Sequence, residues 1–134
     1  METLLKILIP ILIQIESGGD NNAIGDGGKA VGCLQQHEIH VDEANRIMAL
    51  NIKGWLNDPF DYGDRFNREY AIIMTKACLK HHGQRRISKN NTELENLVIL
   101  GRIHNGGPNG YKKKATLPYA KKITKLYKRK VTNE

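Results

Sequence analysis

Leu4-Leu5-Lys6-Ile7-Leu8-Ile9-Pro10-Ile11-Leu12-Ile13-Gln14-Ile15-Glu16-Ser17-Gly18-Gly19 is the most apolar run of the chain, and it ends on two glycines. Apolar residues fall on nearly every side of a helix drawn through it, which places that helix in the middle of the fold. Gly18-Gly19 supplies a left-handed C-terminal stop. Pro10 either kinks the helix or marks the first residue of its regular part. The run is too short, and too interrupted by Lys6 and Gln14, to span a bilayer. A Glu-Ser-Gly-Gly turn follows it in place of a small-x-small cleavage site. The expectation is a buried core helix rather than a retained signal segment.

Outward from this helix the chain reads as more helix. Residues 18–37 are rich in glycine, and an irregular stretch of that length in a small domain is usually functional. A second helix is expected from about Val41-Asp42 to Leu50. Asp58-Pro59 reads as an N-cap with proline at the first helical position, opening a third helix. That helix carries Phe66, Tyr70, Ile73, Met74, Ala77 and Cys78 at helical spacing and ends near Gly83. Thr92-Glu93-Leu94-Glu95 is a capping box, with Leu97, Val98 and Leu100 inward. Asn105-Gly106-Gly107-Pro108-Asn109-Gly110 forms a loop. Thr116 through Val131 reads as a last helix, basic outside, with Leu117, Ala120, Ile123 and Tyr127 facing in. With 134 residues, 40% of them apolar, the expected fold is a single all-α domain, 1–134, of about six helices.

The formal charge of +7 implies attraction to something anionic, and nucleic acid, anionic lipid and an acidic cell wall all fit. The C-terminal lysines (112–114, 121, 122, 125, 128 and 130) lack the aromatic interleaving of a nucleic-acid site, so no nucleic acid is expected. Cys33 and Cys78 define no framework and read as two free thiols, one bridge being the alternative. His37-Glu38-Ile39-His40 puts its histidines three apart, where the metalloprotease motif needs four, so no metal is expected; these residues instead rim a substrate-binding cleft, His37 among its contacts, or start the second helix.

Glu16 is the residue with chemistry in it. The negative end of the helix dipole and its apolar neighbours both disfavour its ionised form. Such surroundings are what a general acid working near neutrality needs. The two glycines after it let a bulky ligand approach the carboxyl.

Glu16-Ser17-Gly18-Gly19 is followed by Asn22-Ala23-Ile24-Gly25, then Gly32-Cys33-Leu34-Gln35, Ile103-His104-Asn105-Gly106-Gly107 and Thr116-Leu117-Pro118-Tyr119. In this order they resemble the signatures of the lytic transglycosylase and goose-type lysozyme family, over about Ile7 to Leu126. The resemblance implies a lysozyme-like, two-lobed helical domain with a substrate cleft. It implies that Glu16 protonates the glycosidic oxygen and that Tyr119 sets its hydroxyl near this acid. Ser17 would orient the carboxyl or contact an N-acetyl group, and Gln35 would contact substrate near the cleaved bond. Asn105 and the Gly106-Gly107 backbone would shape the sugar cleft. The chain departs from the pattern at Cys33-Leu34, in place of Leu-Met, and at Ile103-His104, in place of Ala-Tyr. The cleft wall is therefore expected to bind sugar differently, through His104. Hydrolytic members carry an aspartate two residues after the motif glutamine, where this chain has His37. They carry another six residues before the motif glycine, where it has Asp26.

Two mechanisms follow. An inverting hydrolase needs a second carboxylate roughly 6.5–9.5 Å from the acid, and Asp26 is the candidate. A lytic transglycosylase needs none, because the muramic acid's own 6-hydroxyl closes on the anomeric carbon. The alternative for Asp26 is a turn residue bonding its own backbone. The expected function is cleavage of the β-1,4 bond after N-acetylmuramic acid in peptidoglycan, by a monomer without cofactors or stable membrane insertion. The setting would be the cell wall, reached by export to the periplasm or beyond or by phage delivery. A non-catalytic wall- or chitin-binding module is the rival from another class.

Overall fold

In the computed structural model, which describes residues 1–133 and leaves Glu134 of the expected domain outside the described residues, the apolar run forms helix α1, Glu2–Ser17. Leu5, Leu8, Ile9, Ile11, Leu12 and Ile13 are buried along it, each contributing about 1.5–3 kcal/mol. Pro10 lies inside the helix on an exposed side. The carbonyl it leaves without an amide partner belongs to Lys6, which is also exposed, so the missing bond falls on the solvent side of the helix. Gly18 ends the helix at φ 62°.

The fold is all-α. Among the described residues, α1 is joined by α2 (Glu38–Asn51), α3 (Arg68–Gly83), α4 (Glu93–Gly106) and α5 (Leu117–Thr132). Short 3-10 turns account for the remainder of the expected six helices. The one sheet is an antiparallel ribbon of β1 (Ile24–Gly25) and β2 (Ala30–Val31), with Ile24 opposite Val31 and Gly25 opposite Ala30. No described helix is long and apolar enough to cross a membrane. The chain forms two compact units, with boundaries inside α1 after Ile15 and inside α3 after His81.

The unit Glu16–His81 holds the ribbon, α2 and most of α3. Val41, Ala44 and Met74 form its core, with Phe60 and Cys78 packed on them. One helix takes the earlier of its two expected starts and one start differs from expectation. Helix α2 begins at Glu38, ahead of Val41, because the His37 amide donates to His40 Nδ1 at 2.8 Å and caps the extra turn. Asp58-Pro59 opens no helix. Asn45 instead accepts from the Phe60 amide at 2.9 Å and from Trp55 Nε1 at 3.0 Å, and donates to the Phe60 carbonyl at 2.9 Å. These bonds hold residues 58–60 out of helix, and α3 starts only at Arg68. Its buried face is Ala71, Met74, Thr75 and Leu79, while Phe66, Tyr70 and Ile73 are partly exposed.

The other unit, Met1–Ile15 with the chain from His82 onward, contains α4 and α5. Leu5, Leu8, Leu12, Leu97, Leu100, Ile103 and Ile123 are among its buried apolar residues. Thr92 caps α4 as expected: its Oγ1 accepts from the Glu95 amide, and Glu95 Oε1 accepts from the Thr92 amide. That bond holds the Glu95 carboxyl below its ordinary range. Helix α5 buries Tyr119 and Ile123 and exposes Lys121, Lys122, Lys125 and Lys128, whereas Leu117 is exposed rather than inward.

Both thiols are free. Burial pushes Cys78 up to about 12, helped by the Glu43 carboxylate, and burial also raises Cys33. At pH 8 a thiol of that pKa has almost no thiolate, the form that reacts. An aromatic disulfide reagent should therefore label neither cysteine in the native protein and both at once in denaturant. Rapid labelling of Cys78 without denaturant would contradict its burial.

Candidate active site

Of the residues singled out in the sequence, Glu16, Ser17, Asp26, Gln35 and His37 belong to the unit Glu16–His81. Glu16 and Ser17 are the last residues of α1 and are half-buried. Ser17 Oγ donates to the Cys33 carbonyl at 2.8 Å and accepts from the Gly19 amide at 3.1 Å. One hydroxyl thus fixes the end of the acid-bearing helix to the middle of the Gly32-Cys33-Leu34-Gln35 turn.

That turn is tightly specified. Gly32 has φ 85°, and a Cβ on it would overlap the backbone carbonyl of Arg65. Its amide donates to the Ala23 carbonyl at 2.8 Å. Gln35, at φ 49°, occupies a left-handed conformation that non-glycine residues adopt at a cost. Its Nε2 donates to the carbonyls of Ala23 at 3.1 Å and Gly32 at 3.0 Å. The side chain expected to touch substrate is therefore spent, on its nitrogen side, holding the loop. Only Oε1 is left for a ligand, and it packs over Gly25.

Asp26 also sits at positive φ, 50°. Its Oδ2 lies 3.1 Å from His37 Nε2. The expected alternative, a carboxylate turned onto its own backbone, is not what the side chain does; the turn is closed by the Lys29 amide donating to the Asp26 carbonyl at 3.2 Å. His37 thus orients that carboxylate. Asp26 is exposed, so its other oxygen is open to water.

Two residues that sequence reading missed hold this loop from beneath. Gln36, 1% exposed, donates from Nε2 to the Ala71 carbonyl at 3.1 Å and to Thr75 Oγ1 at 2.9 Å. Its Oε1 is buried without a hydrogen-bond partner among the described residues. Arg65, 8% exposed, donates from Nε to the Tyr62 carbonyl and from Nη1 to the carbonyls of Lys29 and Gln36. Nothing in Gln35-Gln36 tells which glutamine faces inward, and Arg65 sits in an unremarkable Asp-Arg-Phe stretch.

Compared with family models, curated proteins and solved structures, the chain matches none. The geometry therefore stands alone.

His104, Asn105, Gly106 and Tyr119 belong to the other unit. His104 is buried in the last turn of α4, Asn105 is exposed, and Gly106 ends the helix. A Cβ on Gly106 would overlap Thr116 Cγ2. Thr116 is fully buried and sets this region: Oγ1 donates to the Gly110 carbonyl at 2.7 Å and accepts from Arg102 Nε at 2.7 Å. Tyr119, in the first turn of α5, is 6% exposed. No group of three or more potential metal ligands occurs among the described residues. The His37–His40 pair is accounted for by capping and by Asp26.

Proposed function

We propose that the protein is a muramidase that cleaves the β-1,4 bond after N-acetylmuramic acid in peptidoglycan, with Glu16 as general acid. The observation that carries this reading is the Ser17 Oγ bond to the Cys33 carbonyl. It ties the helix end bearing Glu16 to the loop that carries Asp26, Gln35 and His37. A loop of positive-φ residues clamped this firmly is strained backbone held in place, and such strain clusters at functional sites. A carboxyl at the end of an apolar helix beside it is suited to donating a proton to a leaving sugar oxygen. The basic surface of α5 would favour an anionic wall. The protein would work outside the cytoplasm, by export or phage delivery, as a monomer and without a cofactor.

The Asp26–His37 contact favours the hydrolytic route, because a carboxylate held by an imidazole N–H and open to water is a fit base for an inverting attack. Digestion of purified peptidoglycan, with the released muropeptides weighed by mass spectrometry, tests both layers. Products with free reducing ends, lost in Asp26→Asn, are expected. Products lighter by one water and insensitive to Asp26→Asn would make the protein a lytic transglycosylase. No products at all would leave a wall-binding module.

A further inference from the structure

A cavity of about 430 Å3 opens in the unit Glu16–His81, lined by Gly28, Lys29, His37, Glu38, Ile39 and Arg65. Its most unusual wall residue is Arg65. The residue as a whole is 8% exposed, yet no carboxylate lies within ion-pair distance of its guanidinium among the described residues. Its recorded bonds, all to backbone carbonyls, use Nε and Nη1. The two N–H groups of Nη2 have no protein acceptor among the described residues. The guanidinium therefore keeps donor groups free at the wall of an open cavity, where an anion that enters can take a charge-assisted hydrogen bond.

The rest of the lining narrows the anion. Lys29 adds a second positive charge and has an exposed side chain. Glu38, also exposed, adds a negative one at the N-terminus of α2. A doubly charged phosphate would meet that carboxylate unfavourably. A group with a carboxylate and an ammonium would meet complementary charges on both sides. Ile39, 71% exposed, offers an apolar surface for a methylene chain. His37 is already engaged by Asp26 and shapes the wall rather than supplying charge.

We infer that this cavity binds a zwitterionic α-amino-acid group carried on a short aliphatic chain, with its carboxylate on Arg65 and Lys29 and its ammonium on Glu38. On the muramidase reading, on which only the natural source of the ligand rests, that group is the free end of the diamino acid in a wall stem peptide. The cavity would then select glycan that still bears its peptides.

The test is a binding measurement that needs no turnover. The tripeptide L-Ala-γ-D-Glu-meso-diaminopimelate is titrated into the isotope-labelled full chain and followed through backbone amide resonances. Expected are saturable shifts at Gly28, Lys29 and His37 to Ile39. Lys29→Glu should weaken the apparent affinity about tenfold or more, as reversal of a contacting charge does. Arg65 is left intact because it holds the loop. An analogue amidated at the carboxylate of the diamino acid's free D centre should lose the shifts. The inference is overturned if the tripeptide leaves these resonances unmoved, if Lys29→Glu changes nothing, or if sulfate alone reproduces the shifts. Binding without muropeptide release would overturn the muramidase reading and leave the cavity assignment standing; release without binding would do the reverse.

Discussion

Glu16→Gln should lower muropeptide release by about 10²–10⁴-fold, the usual worth of a positioned general acid, while leaving the fold and wall binding intact. The amide keeps the shape and polarity of the carboxyl and removes only the proton it donates. A glycosidic oxygen is a poor leaving group without that proton, and the oxocarbenium-like transition state forms as the proton arrives. Glu16 is half-buried at the end of α1, and the Ser17 Oγ bond to the Cys33 carbonyl, which the substitution leaves in place, anchors that helix end. The variant should therefore match the wild type in its circular dichroism and urea midpoint and still sediment with insoluble peptidoglycan. Wild-type activity retained in Glu16→Gln would move the acid elsewhere and remove the basis of the proposed function. Retained binding together with lost release is the pattern that separates a catalyst from a wall-binding module, because a module would show no release in either protein.

Local signals in the sequence were read well where local physics decides the outcome. Thr92 and Glu95 satisfy each other's amides within one turn, so the start of α4 is visible in four residues. The end of α1 needs only glycine at positive φ. The start of α3 was not legible, because the group that holds Phe60 out of helix is Asn45, fifteen positions away in sequence. The site divides along the same line. Glu16, Asp26 and His37 were singled out by type and spacing, and the structure joins Asp26 to His37. Gln35 was expected to face a ligand, and its Nε2 also braces its own loop, while its neighbour Gln36 is the buried one. Adjacent identical residues carry no sequence mark of which points inward. Arg65 was invisible because its partners are backbone carbonyls, which every residue has.

Gly32→Ala should destabilise the protein by about 2–5 kcal/mol, the sum of left-handed strain and overpacking. Two costs coincide at this position. At φ 85° any side chain is strained, and the added Cβ would overlap the Arg65 carbonyl. That oxygen belongs to backbone, which cannot swing aside as a side chain would. The Arg65 guanidinium holds the carbonyls of Lys29 and Gln36 on the same loop, so moving its backbone also loosens those bonds. Gly18→Ala is the control. Its φ is 62° and nothing lies within 4 Å of the added methyl, so only the conformational cost of about 1 kcal/mol remains. Urea unfolding of both variants reads the difference directly. Against a total stability of about 5–15 kcal/mol, Gly32→Ala should shift the midpoint severalfold more than Gly18→Ala. Equal shifts would mean that the loop relaxes around Gly32, and that the clamp joining Arg65 to the motif turn is not rigid. The same loop carries Asp26 and His37. A loosened clamp should therefore cost catalysis even at urea concentrations where Gly32→Ala is still folded, whereas Gly18→Ala should lose activity only through the end of α1.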